Sequence, residues 1–454
     1  MRTKFRQINT PIPVPESLAI FESLDRFESR SMHGQLPVVW DRAEDFQVWD
    51  RFGNCWIDFT STIFVANTGH ANSSIKKAIQ QMLDKNLLHS YTFATEIRAE
   101  FLKKLIEITP PQFEKAFLLS SGTEATECAI KLMRMYGTVK GKRRAGLISF
   151  EGSMHGRTMG AQMLGGNPDQ REWIGYEDPH VYRIPFPYPW LFQGRGAENL
   201  SGAERFYRDI ETLRLQGIDL KRDICGFMIE PYIGWAAALF PTDYIQALAE
   251  FAKQNEILVT FDEIQGGFGR TGELFAYQHY RIEPDLLCCG KGISSSLPLS
   301  AVLGKTSVMD LSGVGSMSST HSANPLSCAA GLANLEEMER LDLISESKRK
   351  GEILFSRLRQ LQKRFQERIH YVLGEGLLAA LILFDSAKGE PDPETATRVC
   401  EKAMQKGLLL VHTGRESIKL GPPLTIPDAA LEEGLEVLAE SFEEVVASNP
   451  IPSV

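Results

Sequence analysis

The stretch EILVTFDEIQGGFGRTGELFA, residues 256–276, decides how this chain is read. It opens with an apolar run, 256–262, that ends on Asp262 and is followed at once by Glu263, Ile264 and Gln265. A continuous apolar run, without in–out alternation, predicts a strand buried on both faces, as in a parallel sheet covered by helices. Working outward, the same texture predicts strands at 116–120, 145–150, 224–230, 285–289 and 299–303, with a weaker one at 180–184. Helical patterns lie between them. Residues 123–136 place Cys128, Leu132 and Tyr136 on one face, with Thr123 as candidate N-cap, and 241–255 is a second such segment. Alternating strand and helix predicts an α/β fold around a large, mostly parallel seven-stranded sheet.

Beyond about residue 330 the texture changes. A long charged helical stretch is expected over 332–367, then short strands at 371–373, 377–384, 407–411 and 416–420. A last amphipathic helix starts near Pro427, where proline suits the first turn. This reads as a smaller α+β domain. The first 60 residues hold strand-like pieces (PVVW, FQVW, CWIDF) free to pair with either part. The expected division is an N-terminal segment, 1–60, contributing to the small domain, a large domain, 61–330, and a C-terminal small domain, 331–454. No internal repeat or low-complexity linker is apparent, and PFPYP, 185–189, reads as an ordered surface loop.

Composition narrows the function classes. The 454 residues are 43% hydrophobic and 24% charged, which excludes a disordered chain, a collagen-like repeat or a disulfide-stapled miniprotein. A net charge of −9 without a basic block argues against nucleic acid and anionic membranes as partners. The longest apolar run, 377–384, is far short of the roughly 20 residues a membrane helix needs. The first 17 residues lack the apolar core of a signal peptide. Seven cysteines without CxxC spacing, two of them adjacent at Cys288 and Cys289, are expected to be buried thiols in the reducing cytoplasm, and no metal centre is expected.

In an open parallel sheet, ligands bind at the carboxyl ends of the strands. The residues expected there are Ser121-Gly122-Thr123-Glu124, Glu151 to Arg157, Glu230-Pro231, Asp262 to Gln265 and Gly290-Lys291-Gly292. Ser-Gly-Thr at a helix N-terminus offers free N–H groups and the positive dipole end to a phosphate. Asp262 needs a cation beside it, which a protonated pyridine nitrogen supplies. Gln265 is placed to donate to a ring oxygen. Lys291, an amine after a buried strand, gains nucleophilicity as burial lowers its pKa, as Schiff-base chemistry requires. Each has a plainer reading alone: a helix cap, a turn aspartate, a loop lysine. His155 and His321 read as satisfied structural histidines. What joins the signals is that phosphate cradle, pyridinium partner and amine share one predicted edge. Gly267 to Gly272 matches GxGxxG, but Asp262 to Gly266 separate it from the strand, so a dinucleotide site is not favoured.

At these residues the sequence resembles the class III aminotransferases, pyridoxal-phosphate (PLP) enzymes of fold type I that include ornithine, acetylornithine and 4-aminobutyrate aminotransferases and the omega-transaminases. The resemblance runs from DFTSTIFVANTGHANSSIKKAI (58–79) through SSGTEATECAIKLMR, HGRT, IEP, FDEIQGGFGRTGELFA, PDLLCCGKGISSSLPLSAVLGK and STHSANPLSCAAGLA to GPPLTI (421–426). It implies that Lys291 carries the cofactor and then shuttles the proton between substrate Cα and cofactor C4′. Asp262 would keep the pyridine nitrogen protonated, Gln265 would contact the ring hydroxyl and Ile264 would pack on a ring face. Ser121, Gly122 and Thr123 would hold the phosphate, with Met154, His155 and Glu230 completing the cofactor site. Thr320 matches a threonine that reaches the phosphate of a partner subunit, so a homodimer with interfacial sites is implied. Arg157 matches an arginine that binds a substrate carboxylate, and Ser319 a position that touches substrate.

Three residues depart from the family pattern. Met154 stands where an aromatic ring stacks on the cofactor, Trp235 replaces the second Glu of EPxQGE, and Lys419 replaces the arginine before PPL. An unpartnered buried Glu or Arg is costly, so joint loss of that pair is self-consistent. Trp235 and Lys419 are therefore expected to line a substrate pocket unlike the ornithine or 4-aminobutyrate one. The expected reaction is two-stage transfer of an amino group from an amino acid, glutamate or alanine, to an aldehyde or ketone of a biosynthetic pathway. An aminomutase, epimerase or decarboxylase on the same scaffold is the alternative within the cofactor class; a nicotinamide oxidoreductase is the alternative outside it.

Overall fold

A computed structural model describes residues 1–192, 200–317, 319–386 and 388–448. Its centre is a seven-stranded sheet in the order Lys115–Leu119, Ser300–Gly304, Leu286–Cys289, Leu258–Asp262, Ile224–Ile229, Gly146–Phe150 and Val181–Ile184. Only Ser300–Gly304 runs against the rest; the other joins are parallel. All seven strands fall on the expected segments. The inner ones are buried along their whole length, the burial that their unbroken apolar runs require.

Helices Gly122–Val139 and Thr242–Gln254 occupy the two expected helical segments. The first begins one residue earlier than expected. Ser121, not Thr123, is its N-cap: Ser121 Oγ accepts from the Glu124 N–H at 3.4 Å while Glu124 Oε2 accepts from the Ser121 N–H at 2.8 Å. The S-x-x-E spacing of a capping box outweighs a lone threonine.

The terminal parts correct several details. The expected 332–367 helix is two, Pro325–Arg340 and Leu343–Arg364, because Asp342 adopts a left-handed φ of 48° that interrupts the hydrogen-bond ladder. PVVW forms no strand; its Val38 N–H turns back to Leu36 O instead of meeting a neighbour. Cys55–Asp58 pairs in parallel with Leu408–Leu409 and antiparallel with Gln47–Trp49. The expected 407–411 strand splits, so that Leu408–Leu409 joins this sheet and Val411–His412 joins Ser417–Leu420. Residues from both ends of the chain thus share a sheet.

One side chain fastens these parts to the large sheet. Arg270, in the glycine loop after Asp262, is fully buried. It donates to Pro422 O at 2.5 Å, Leu377 O at 3.2 Å and Asn67 Oδ1 at 2.6 Å. The GxGxxG stretch therefore does structural work: Gly269 and Gly272 take φ of 84° and 82°, turning the loop so that Arg270 points inward. Arg270→Met would leave three buried acceptors without their donor. A loss of about 3 kcal/mol or more is expected from urea unfolding of the variant against wild type.

Candidate active site

Six of the seven strands run parallel, and most of the polar residues named from the sequence collect at the edge where they end. Asp262, 5% exposed, closes the Leu258–Asp262 strand. Its Oδ2 lies 2.9 Å from His155 Nδ1, and its Oδ1 accepts from the Ile264 N–H at 3.2 Å. His155 is 2% exposed, and its Nε2 is buried without a partner among the described residues. The structure thus gives His155 a place beside the central carboxylate, which its sequence context alone did not.

Ile264 fixes the floor of the site. A methyl group added at Gly122 would lie 2.9 Å from Ile264 Cδ1, and one at Gly290 would lie 3.1 Å from Ile264 Cγ2. One strand end and the first turn of a helix therefore approach one isoleucine closely, and only glycine leaves room. Lys291 follows Gly290 and is half-buried, with φ at 46°. The turn is held from below, where Asn334 Nδ2 donates to Gly292 O at 2.8 Å and Ile293 O at 3.1 Å. Lys291 Nζ has no hydrogen-bond partner among the described residues. Burial lowers its pKa, while Asp262 and Glu230 pull it back up.

The HGRT loop is bound to the neighbouring helix. Thr126 Oγ1 donates to His155 O at 2.7 Å, Thr123 Oγ1 meets Thr158 Oγ1 at 2.8 Å, and Glu127 Oε1 accepts from the Gly160 and Ala161 N–H groups at 2.8 and 3.0 Å. The Ser121–Glu124 box uses the N–H groups of Ser121 and Glu124, leaving those of Gly122 and Thr123 with no acceptor inside the helix. Those two donors stand at the positive end of an 18-residue helix.

The opposite wall comes from the C-terminal part. Lys419 is 3% exposed; its Nζ donates to Gln265 Oε1 at 2.9 Å and sits 4.4 Å from the centre of the Phe64 ring. Gln265 therefore keeps its amide N–H₂ for another acceptor. Phe64 ends a run, Ser61 to Phe64, in which four non-glycine residues have φ between 46° and 66°. Ser61 Oγ anchors the run on Gly421 O at 2.6 Å. Glu230 receives the Met154 N–H at 2.9 Å. Burial raises the Glu230 pKa to about 7, against the pull of His155, and lowers that of Lys419 to about 7, helped by the nearby Lys291.

Trp235 lies just beyond this group. Its carbonyl accepts from Ser417 Oγ at 2.9 Å and its ring carries the Arg415 guanidinium at 3.8 Å. Three of the expected residues are not drawn into the cluster by any contact. Arg157 and Thr320 are exposed without a hydrogen bond or ion pair to another described residue. Ser319 Oγ is 2.7 Å from Ser322 Oγ, in a separate hollow with Tyr91 and Arg98. The Met154 side chain is 47% exposed. Sequence reading missed Phe64, Arg270, Asn334, Tyr188, Trp190 and Arg415. Arg270 alone had a signal, a charged residue between glycines after a buried strand.

The donor set suits PLP. A buried carboxylate faces the site with only a histidine ring and one N–H beside it, an unpartnered amine stands at the adjacent strand end, and two free N–H groups mark an anion cradle. Glycines at 122 and 290 keep the space above Ile264 narrow, as a flat ring requires. No helix among the described residues is long and apolar enough to cross a membrane.

Comparison with known proteins agrees. Residues 29–442 match the family described as aminotransferase class-III. A 4-aminobutyrate aminotransferase of Mycobacterium leprae is 33% identical over 96% of this chain and 97% of its own. An alanine/serine racemase of Pyrococcus horikoshii is 29% identical over 96% and 92%. An amine transaminase from an uncultivated Pseudomonas species, solved in its PLP-bound form, superposes with a TM-score of 0.83 at 27% identity, over 92% of this chain and 97% of that one. A buried aspartate and an amine on one sheet edge, within a chain that matches throughout, identify this protein as a member of the class III aminotransferases, enzymes of fold type I that depend on pyridoxal phosphate.

Proposed function

We propose that the residues gathered around Asp262 and Lys291 carry the transamination, and that the carriers divide as follows. The observation that bears the reading is the pairing of a buried Asp262–His155 couple with an unpartnered, desolvated Lys291 amine. When bound, PLP supplies an aldehyde that takes up amines and a ring that accepts the electron pair left on substrate Cα. Lys291 holds the cofactor through its Nζ and, once released, moves the proton at Cα. Burial lowers its pKa, which makes the neutral amine that accepts that proton easier to reach. Asp262 stabilises positive charge on the pyridine nitrogen, and His155 fixes the rotamer of that carboxylate. Gln265, its carbonyl occupied by Lys419, offers its N–H₂ to the ring oxygen. Ile264 bears on the ring face, and Ser121, Gly122 and Thr123 hold the phosphate.

Arg157, exposed and without an ion pair among the described residues, takes a carboxylate of the donor, glutamate or alanine, as a planar guanidinium does in bidentate fashion. Trp235 and Lys419 line the pocket for an aldehyde or ketone acceptor. The exposed Thr320 and the Ser319 hollow fit a homodimer in which Thr320 serves the partner's site; the large sheet with residues 61–330 forms the cofactor domain, and residues 1–60 and 331–454 the smaller one. A cytoplasmic location accords with seven free, buried cysteines.

Lys291→Ala is expected to abolish turnover while the variant keeps wild-type thermal stability, and borohydride is expected to fix cofactor onto wild-type Lys291 but not onto the variant. Residual transamination by the variant would overturn the assignment. The racemase relative gives one reason to keep an isomerase as second reading. Incubating L-alanine without a keto acid separates them: accumulation of D-alanine marks an isomerase, whereas a transaminase stops after one equivalent.

The pKa directions fix two pH trends. Raised to about 7, Glu230 adds stability at acid pH that is lost as pH rises from its ordinary range through about 7. Lowered to about 7, Lys419 adds stability at alkaline pH that is lost as pH falls from its ordinary range through about 7. Glu230→Gln is therefore expected to gain Tm relative to wild type between about pH 4.5 and 7, and Lys419→Met to gain as pH falls from about 10.5 to 7. Thermal unfolding across pH reads both slopes.

A further inference from the structure

Lys291 opens a single tight turn, Lys291–Ile293, one residue after the strand Leu286–Cys289. Its φ of 46° lies in the left-handed region, which a residue with a Cβ avoids unless its surroundings impose it. The turn closes on itself through Ile293 N–H to Gly290 O at 3.1 Å and Ser294 N–H to Lys291 O at 3.3 Å. Both are longer than the usual amide hydrogen bond.

The next two carbonyls are taken by one side chain from another element. Asn334 stands inside the helix Pro325–Arg340, fully buried, with Ala330, Ala333, Leu335 and Met338 as buried helix neighbours. Its Nδ2 donates to Gly292 O at 2.8 Å and Ile293 O at 3.1 Å, and its Oδ1 accepts from Thr68 Oγ1 at 3.0 Å. The reverse orientation would set Oδ1 against two carbonyls, so the amide faces one way. Thr68 is itself held, its N–H by Ser295 Oγ at 3.3 Å and its carbonyl by Asn72 Nδ2 at 3.2 Å. The adjacent Asn67 closes another side: a methyl group added at Gly292 would lie 2.4 Å from Asn67 Nδ2. Residues 67 and 68 thus grip the Lys291 turn twice, directly at Gly292 and through Asn334.

A helix interior disfavours asparagine, and a buried amide is costly unless its groups are paired. An aliphatic side chain would suit this helix and its neighbours better. What the amide adds is a pair of N–H bonds to the turn that carries the amine. We infer that Asn334 is a positioning residue for Lys291: by holding the Gly292 and Ile293 carbonyls it keeps the left-handed turn closed and fixes the point from which Nζ reaches cofactor and substrate Cα. It acts through the turn and not by contact with the reacting atoms. The inference rests on Lys291 moving the proton at Cα and deepens that reading. Proton transfer depends steeply on the placement of donor and acceptor, so a loosened turn slows that step before it weakens substrate binding.

The test uses holoenzyme carrying Asn334→Leu, which keeps the bulk of the side chain and removes its polar groups. The half-reaction with L-glutamate or L-alanine, whichever wild type converts, is followed in single turnovers with protiated and Cα-deuterated amino acid. Asn334→Leu is expected to lower the limiting rate about tenfold, to raise the isotope effect, and to leave the half-saturating concentration within about twofold. A second readout needs no turnover. The visible circular dichroism of the bound cofactor reports how rigidly Lys291 holds it, and is expected to fall per bound cofactor while absorbance is unchanged. Thr68→Val frees the amide to rotate but spares its N–H groups. It is expected to move the rate, the isotope effect and the dichroism in the same directions by less, and it carries the test if Asn334→Leu does not fold. Wild-type values throughout overturn the inference. So does a loss of rate with wild-type isotope effect and dichroism, which marks a purely structural role. Failure of borohydride to fix cofactor on Lys291 of the wild type overturns the underlying reading instead, and is seen before any variant is compared.

Discussion

The buried guanidinium of Arg270 reaches Pro422 O, Leu377 O and Asn67 Oδ1, three stretches that are remote in sequence. Burying an unpaired guanidinium would be prohibitive, so these carbonyls must stay where they are. The consequence reaches the active site. Pro422 lies three residues beyond Lys419, so the contact that seats the GPPLTI segment also seats Lys419 against Gln265. Asn67, held by the same arginine, donates to Phe268 O and packs against Gly292, beside Lys291. One loop after Asp262 therefore aligns the two sides of the site.

Local strain is concentrated in the same place. Four successive left-handed residues, Ser61 to Phe64, would cost roughly 1–2 kcal/mol each in isolation. They persist because Ser61 is tied to Gly421 and Phe64 is wedged against that glycine, where an added methyl group would lie 2.0 Å from the ring. The result is an aromatic face beneath Lys419, and a desolvated amine whose proton is only weakly held. Glu230 beside it is shifted the opposite way, so burial weakens both charges. The net −9 of the whole chain says nothing about that local balance.

Much of the architecture was legible before any coordinates. Strands buried on both faces must be apolar throughout, so the five inner ones announced themselves, while the edge strand at Val181–Ile184 read more weakly, and the parallel order placed Ser121, Asp262 and Lys291 on one edge. The errors fell where short-range rules compete. Thr123 lost the cap to Ser121 because a reciprocal box satisfies two N–H groups. A continuous helical pattern over 332–367 hid the break at Asp342, since a single left-handed residue leaves hydrophobic periodicity almost intact. Leu408 to His412 reads as one strand although it serves two sheets.

The residue types that permit this chemistry, and the strand ends that bear them, were determined by the sequence alone, because burial on both faces leaves unbroken apolar runs that end where the polar residues begin. Which partners those residues meet was decided by tertiary structure. Nothing local predicts that His155 faces Asp262, that Lys419 spends its proton on Gln265, or that Arg415 lies on Trp235; these pairs are separated by 107, 154 and 180 residues. Side-chain recognition depends on directions fixed only when Arg270 brings the terminal segments onto the sheet, and such directions have no period to read.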